Sequence, residues 1–265
     1  MNVEEAILTR HAVRLFNPDD KISRESLEKI VELAQHAPSW VDSQPWKVYI
    51  ATSNTLAAVK KRHAENVKNG VKANPDWPTT HREDWAKFPR ENMLKHNEAT
   101  ARFWENPELS SMTRQDLQTR LYDAPAICYL TIPKDSNQWS DYDLGAFGQT
   151  LMLAARGMGI DSMPAYEIVK FPESVKEIMN IPDSEWLAMG IALGYADMAT
   201  RVNEYLAPRA DGRAVRNGEE ERHIKKDAAQ DVFSEENIIN EGMQLFETAF
   251  FLAFVFVISA YLLSR

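Results

Sequence analysis

Two short stretches carry the side chains best suited to gripping an anion. The first is Arg10-His-Ala-Val-Arg14, in which two guanidinium groups four residues apart flank His11. A guanidinium presents a planar fork that donates parallel charged hydrogen bonds, which suits it to phosphate. Two arginines at this spacing also fit a solvated helix face, so the pair alone leaves both readings open. The second stretch is Ala37-Pro-Ser-Trp-Val-Asp-Ser-Gln-Pro-Trp46, bracketed by prolines, punctuated by tryptophans, and supplied with polar groups by Ser39, Asp42, Ser43 and Gln44. A further cation, Arg209, follows Asn203-Glu-Tyr-Leu-Ala-Pro208.

Other chemistries lack their residues. His11, His36, His63, His81, His96 and His223 form no His-Glu-x-x-His pattern, and a single cysteine rules out a cysteine-rich zinc site. There is no Gly-x-Ser-x-Gly elbow for a serine hydrolase and no phosphate-cradling Walker sequence. Gly157-Met-Gly159 is no dinucleotide fingerprint, since no third glycine completes it after a strand; it reads as a helix terminus.

The elements that must position these groups come from periodicity. Residues 3–9 read as a short helix, and Asn17-Pro-Asp-Asp20 as a turn. Ser23 can cap a helix that places Leu27, Ile30, Val31 and Ala34 on one face and stops before Pro38. Lys47–Ala51 reads as a strand leaving the loop, and Leu56 to about Asn69 as a basic-faced helix. From 70 to 106 the pattern loosens around Pro75, Pro78 and Pro89, with Trp77, Trp85, Phe88, Phe103 and Trp104. These aromatics either pack helices together or form a cover over a site.

Ala126–Ile132 is continuous enough in apolar character for a buried strand, which includes the lone Cys128 as an ordinary core residue. Asp141 is the expected cap of a long helix with Leu144, Phe147, Leu151, Met152 and Ala155 along its apolar face. Phe171–Met179 reads as a short helix with proline in its first turn, and Trp186–Gly194 as another buried strand. Several helices between few strands predict an α+β layered fold.

Composition bounds the function. Across 265 residues, 44% are apolar and 26% charged, as in soluble globular chains, and the length suffices for a sizeable core. A formal charge of −9 argues against broad nucleic-acid binding while leaving room for one local phosphate site. One cysteine permits no intrachain disulfide and fits a reducing compartment. Met-Asn-Val-Glu-Glu at the N-terminus does not read as a signal peptide.

Arg10–Arg14 followed by the 37–46 loop resembles the nitroreductase family of flavin enzymes, whose loop reads Pro-Ser-x-x-Asn-Ser/Thr-Gln-Pro-Trp. Asp143-Leu-Gly-Ala-Phe-Gly-Gln-Thr-Leu-Met-Leu-Ala-Ala155, Gly157-Met-Gly-Ile-Asp161 and Met189-Gly-Ile-Ala-Leu-Gly-Tyr-Ala-Asp197 are similar to that family too, over about residues 3–210. The resemblance implies a three-layer α+β fold, a domain-crossing homodimer, and FMN at the subunit interface. Arg10, His11 and Arg14 would contact the FMN phosphate, ribityl chain and pyrimidine edge, with Arg209 reaching the phosphate. Ala12 stands where the family commonly has serine and loses a hydroxyl contact. Pro38, Ser39 and Trp40 would line the flavin from the partner subunit. Asp42 replaces the usual asparagine and cannot donate amide hydrogen bonds. Pro164, Ala165 and Tyr166 would bring backbone N–H groups near the reactive nitrogen, and Gln44 would tie the loop to the following strand.

The implied activity is cytoplasmic NAD(P)H-dependent reduction of nitroaromatic or quinone substrates, in a ping-pong cycle run by the flavin with no catalytic side chain. Two rivals remain: a flavin-dependent reductive dehalogenase on the same fold, and a non-catalytic flavin-binding sensor or membrane-tethered interaction protein. Beyond the family-like domain, residues 211–246 read as a polar linker or helical segment and 247–265 as an apolar helix. Within it, 248–264 runs seventeen residues without a charge. As a helix it would span roughly 26 Å, close to the thickness of a hydrocarbon core, which makes it a candidate membrane anchor.

Overall fold

The computed structural model describes residues 1–104 and 114–209. Their centre is a four-stranded antiparallel sheet in the order β1-β2-β4-β3, from β1 (Lys47–Thr52), β2 (Ala126–Pro133), β3 (Asp161–Pro164) and β4 (Glu185–Gly194). The described helices are α1 (Val3–Thr9), α2 (Arg24–Ala34), α3 (Ser53–Lys68), α4 (Lys87–Trp104), α5 (Arg114–Thr119), α6 (Gln138–Gly157) and α7 (Pro172–Met179).

β2 and β4 lie in the middle of the sheet, so both their faces are covered and their sequences read as unbroken apolar runs. Successive side chains still separate by face. Ile127 and Tyr129 join one core with Leu56 and Val59 of α3, Val175 of α7, and Val13, Leu15 and Phe16. Ala126, Cys128, Leu130 and Ile132 join the other with Leu27, Ile30 and Ala34 of α2 and Leu144, Phe147, Leu151 and Ala155 of α6. The result is the expected three-layer α+β arrangement, with helices on both faces of one sheet. Each fully buried Leu, Ile or Phe in these layers contributes roughly 1.5–3 kcal/mol of transfer free energy.

Two glycines of β4 permit the close packing expected of them. A Cβ on Gly190 would overlap Ile168 Cγ2, and one on Gly194 would lie 2.6 Å from Pro125 Cδ and 2.7 Å from Phe16 Cδ1. Gly159, at φ +76°, turns the chain after α6, and the Ile160 amide donates back to the Ala155 carbonyl at 2.9 Å.

The structure amends three boundaries. α6 begins earlier than Asp141: Asn137 is its N-cap, its side-chain oxygen accepting from the amides of Trp139 and Ser140, and Asp141 sits in the first turn where the helix dipole favours a carboxylate. β3 is a strand of only four residues, too short to show a period in sequence. The loosened region contains the 18-residue α4, and its aromatics divide. Trp77, Phe103 and Trp104 pack against the cores, while Trp85 and Phe88 are exposed. The segments 211–246 and 247–265 lie outside the described residues; among the described ones, no helix is long and apolar enough to cross a membrane.

Candidate functional site

Arg10 ends α1, its amide donating to the Ala6 carbonyl at 3.0 Å. The chain then runs extended beside β3: Ala12 bridges Ser162 in parallel, through the Val13 amide on the Ser162 carbonyl at 3.2 Å. Asn203 fixes the next step. Its side-chain oxygen accepts from the amides of Arg14 (2.7 Å) and Leu15 (3.1 Å), and its Nδ2 donates to the Leu15 carbonyl (2.8 Å). Buried Asn203 thus satisfies backbone groups that would otherwise be costly to desolvate.

That clamp aims the Arg14 side chain. Its guanidinium lies 4.6 Å from the centre of the Tyr205 ring, and Nη1 donates to the carbonyls of Ala12 (3.2 Å) and Tyr205 (3.4 Å). Among the described residues no carboxylate pairs with it, and its protein hydrogen bonds leave from Nη1, so the Nε and Nη2 donors remain for a ligand. Burial lowers the Arg14 pKa from its ordinary value, with Arg114 adding to the effect against opposing contributions from Tyr205 and Tyr122. Burial also lowers Arg10, with Arg209 as the second cause, so the charges of Arg10 and Arg209 act on each other directly. His96 of α4 is lowered too, by burial first and then by Arg14, Arg114, Arg82 and Arg209. Arg14, Arg82, Arg114 and Arg209 thus lie within electrostatic range of His96, and Arg209 within range of Arg10. Positive charge gathered around the part-buried Arg10 and Arg14 fits a ligand carrying phosphate and other acceptors.

His11 Nδ1 lies 3.0 Å from the Thr9 carbonyl, a local contact within its own turn. Arg209 is held by a contact from Nη1 to the Ala207 carbonyl at 2.9 Å.

The loop at 37–46 is built around Asp143, a buried carboxylate in the first half of α6. Asp143 Oδ2 accepts from the Trp40 amide at 2.9 Å and the Ser43 hydroxyl at 3.4 Å. Ser39 Oγ accepts from the Gln44 amide, and Gln44 Nε2 donates to Asp42 Oδ1 at 2.7 Å. Gln44 therefore braces the loop internally and makes no tie to the following strand, while Asp42 uses the acceptor capacity it shares with asparagine. Val41 (φ +50°), Asp42 (φ +57°) and Gln44 (φ +42°) are left-handed, a conformation unfavourable for a β-branched valine. Trp40 stacks on Trp139 at 4.8 Å and stays more than half exposed, as does Val41. At the loop's far end, buried Trp46 stacks on Phe147 and donates to Gln35, anchoring it to the core.

The segment 164–166 needs a correction. Proline has no N–H, and the Ala165 amide is already engaged by the Gly190 carbonyl at 3.1 Å. That leaves, of the expected donors, the Tyr166 amide at the first position of a 3-10 turn, where a helical turn makes no use of its own N–H.

Both stretches are anchored to α6, but at different ends. Trp40 and Ser43 hold Asp143, whereas Arg156, near the C-terminus, donates to Thr9 Oγ1 at 3.0 Å and Asp161 Oδ1 at 2.7 Å. Thirteen residues of helix separate those anchors, or roughly 20 Å. The loop and the segment that leads into Arg10–Arg14 are thus tied to well-separated points along α6.

The fold and the basin define an α+β protein with a cationic site beside the edge strand of its sheet. The family model described as "Nitroreductase family" matches residues 7–195, and the chain belongs to that family. It is 29% identical over 213 residues to a 4-nitrobenzoate reductase of Pseudomonas putida, covering 78% of this chain and 90% of that one. It is 32% identical over 219 residues to the nitroreductase NfnB of Mycolicibacterium smegmatis, covering 78% and 88%. Among solved structures it resembles the FMN-dependent nitroreductase NfnB from Mycobacterium smegmatis in complex with NADPH, with TM-score 0.73 at 26% identity, covering 82% of this chain and 97% of that chain.

Proposed function

We propose that the chain is an FMN-dependent, NAD(P)H-consuming nitroreductase that works as a homodimer. The observation that carries this reading is Arg14: a half-buried guanidinium without a carboxylate partner among the described residues, with free donors, in a basin shared with Arg10 and Arg209. Relatives named as nitroreductases, and a similar structure holding NADPH, support the cofactor and the reductant.

When bound, FMN supplies a redox centre that accepts two electrons from NAD(P)H and passes them to a nitro or quinone acceptor. The chain's own residues do the rest. Arg10 and Arg209 would hold the phosphate, and Arg14 would face the pyrimidine edge, where positive charge favours the reduced state. The Tyr166 amide donates toward the reacting edge of the ring. Pro38, Ser39 and Trp40 come from a second copy and close the site against water, which fits the separation of the two anchors along α6.

Purified protein should be yellow, bleach with NADPH under nitrogen, and regain colour with nitrofurazone or a quinone. A colourless preparation that takes up no added FMN overturns the reading. Co-expression tests the shared site: Arg14→Ala and Trp40→Glu chains each lose FMN as homodimers, while their heterodimer regains about one site in two. No recovery removes the partner-supplied wall. The dehalogenase rival has weaker support, because iodotyrosine deiodinase bound to FMN shares the fold at TM-score 0.51 and 17% identity and no more.

A further inference from the structure

Tyr205, in the stretch that leads to Arg209, meets three of the site's elements at once. Its ring carries the Arg14 guanidinium at 4.6 Å, and its carbonyl accepts from Arg14 Nη1. Its hydroxyl oxygen lies 2.9 Å from His96 Nδ1 and 3.1 Å from Thr100 Oγ1, both on α4. Thr100 in turn donates to the His96 carbonyl at 2.7 Å, so these groups interlock on one turn of the helix. The ring also packs against Phe103 at 5.4 Å, and Tyr205 is 7% exposed. Two residues earlier, Asn203 clamps the backbone of Arg14 and Leu15.

The Arg14 guanidinium is thus held on one side by an aromatic face whose phenol is bolted to α4. A flexible arginine with three donors unused among the described residues would otherwise sample many rotamers and lose entropy on meeting a ligand. Holding it in advance removes that cost. Tyrosine suits the task because its face attracts the cation while its polar end still finds partners in a buried setting.

We infer that Tyr205 is a positioning residue for Arg14, fixing the guanidinium against the flavin's pyrimidine edge and latching α4 to the same point. This rests on the reading of Arg14 as a flavin contact. It predicts two separable effects. The ring orients Arg14 and so sets the balance between reduced and oxidised FMN; the hydroxyl holds α4 in place whether or not FMN is bound.

The test uses the full-length protein with Tyr205→Phe, Tyr205→Leu and, as a reference, Arg14→Gln. Hydrogen exchange on the FMN-free protein reads the latch: Tyr205→Phe should raise exchange across Lys87–Trp104 several-fold and leave β2 and β4 protected. Redox titration of the FMN-loaded protein reads the positioning. Tyr205→Leu should shift the midpoint potential negative, in the direction of Arg14→Gln, by up to tenfold in the reduced-to-oxidised binding ratio, or about 30 mV for a two-electron couple. Tyr205→Phe should shift it less. If Arg14→Gln moves the potential and Tyr205→Leu does not, Tyr205 is no positioning residue. If neither moves it, the reading of Arg14 itself fails. Unchanged exchange in α4 for Tyr205→Phe overturns the latch. Should Tyr205→Leu fail to fold, Tyr205→Met, which also removes the aromatic face, is titrated in its place: a shift in the direction of Arg14→Gln supports the positioning, and none overturns it.

Discussion

Two polar clusters of this molecule look alike by residue type and differ in their charge balance. At the start of β4, buried Glu185 accepts from the Thr131 hydroxyl at 2.6 Å and the Tyr49 hydroxyl at 3.1 Å, and pairs with Lys47 at the solvent edge. Burial pushes its pKa up, but the hydrogen bonds from Lys47, Thr131 and Tyr49 outweigh it and hold the carboxyl below its ordinary value. Each donor there has its acceptor. In the basin, by contrast, Arg114 lies within electrostatic range of Arg14 and Arg209 within range of Arg10, and the contacts of Arg14 among the described residues are to carbonyls and an aromatic face. A closed cluster of this kind stabilises the fold, whereas a cluster left open holds energy in reserve for a ligand.

The comparison breaks most visibly at Glu185. Glu185→Ala leaves Thr131 and Tyr49 without their buried acceptor and should cost about 2–4 kcal/mol in urea unfolding, while FMN affinity per folded molecule stays the same. A large loss of FMN affinity would mean the two clusters are not independent. Arg14→Ala should show the reverse: FMN binding at least about tenfold weaker by fluorescence titration, or ~1.4 kcal/mol, with FMN-free stability altered by less than ~1 kcal/mol.

A smaller effect lies in the acid limb of stability. Because the folded pKa of Glu185 is depressed below 4.5, its contribution is fully present above that value and is lost as pH falls through the folded value. Glu167, which burial raises and His63 and Lys170 lower further, follows the same sign. Glu185→Gln should therefore flatten the decline in urea midpoint below about pH 4.5; an unchanged slope would show that Glu185 is not the group titrating. The smallest effect is expected at Asp42. Its observed bond from Gln44 needs only an acceptor, so Asp42→Asn should change FMN affinity by less than about threefold, roughly 0.6 kcal/mol.

What sequence reveals here follows the range of the interaction. The buried strands around Cys128 and Gly190, the Ser23 cap and the turn after Gly159 are set by neighbours a few residues away, and all are legible. Arg10, Arg14 and the 37–46 loop stand out because their residue types are unusual at their spacing. The parts played by Asp143, Asn203 and Tyr205 are not legible, although their segments are, since each acts on a partner about a hundred or more residues distant. The same holds for Arg82, Arg114 and His96, which reach the basin only because the long excursion between β1 and β2 folds back onto it. The Ala165 amide escaped notice for another reason. Sequence shows that a donor exists, and only strand pairing shows that Gly190 already uses it.

The separation of the two anchors along α6 has a thermodynamic counterpart. On the proposed reading, each FMN is held by groups from two chains, so cofactor binding and chain association are linked equilibria. Diluting the enzyme should then release FMN even when the free cofactor concentration is held constant, and added FMN should draw dissociated chains back together. The length of one helix would make cofactor retention a matter of protein concentration.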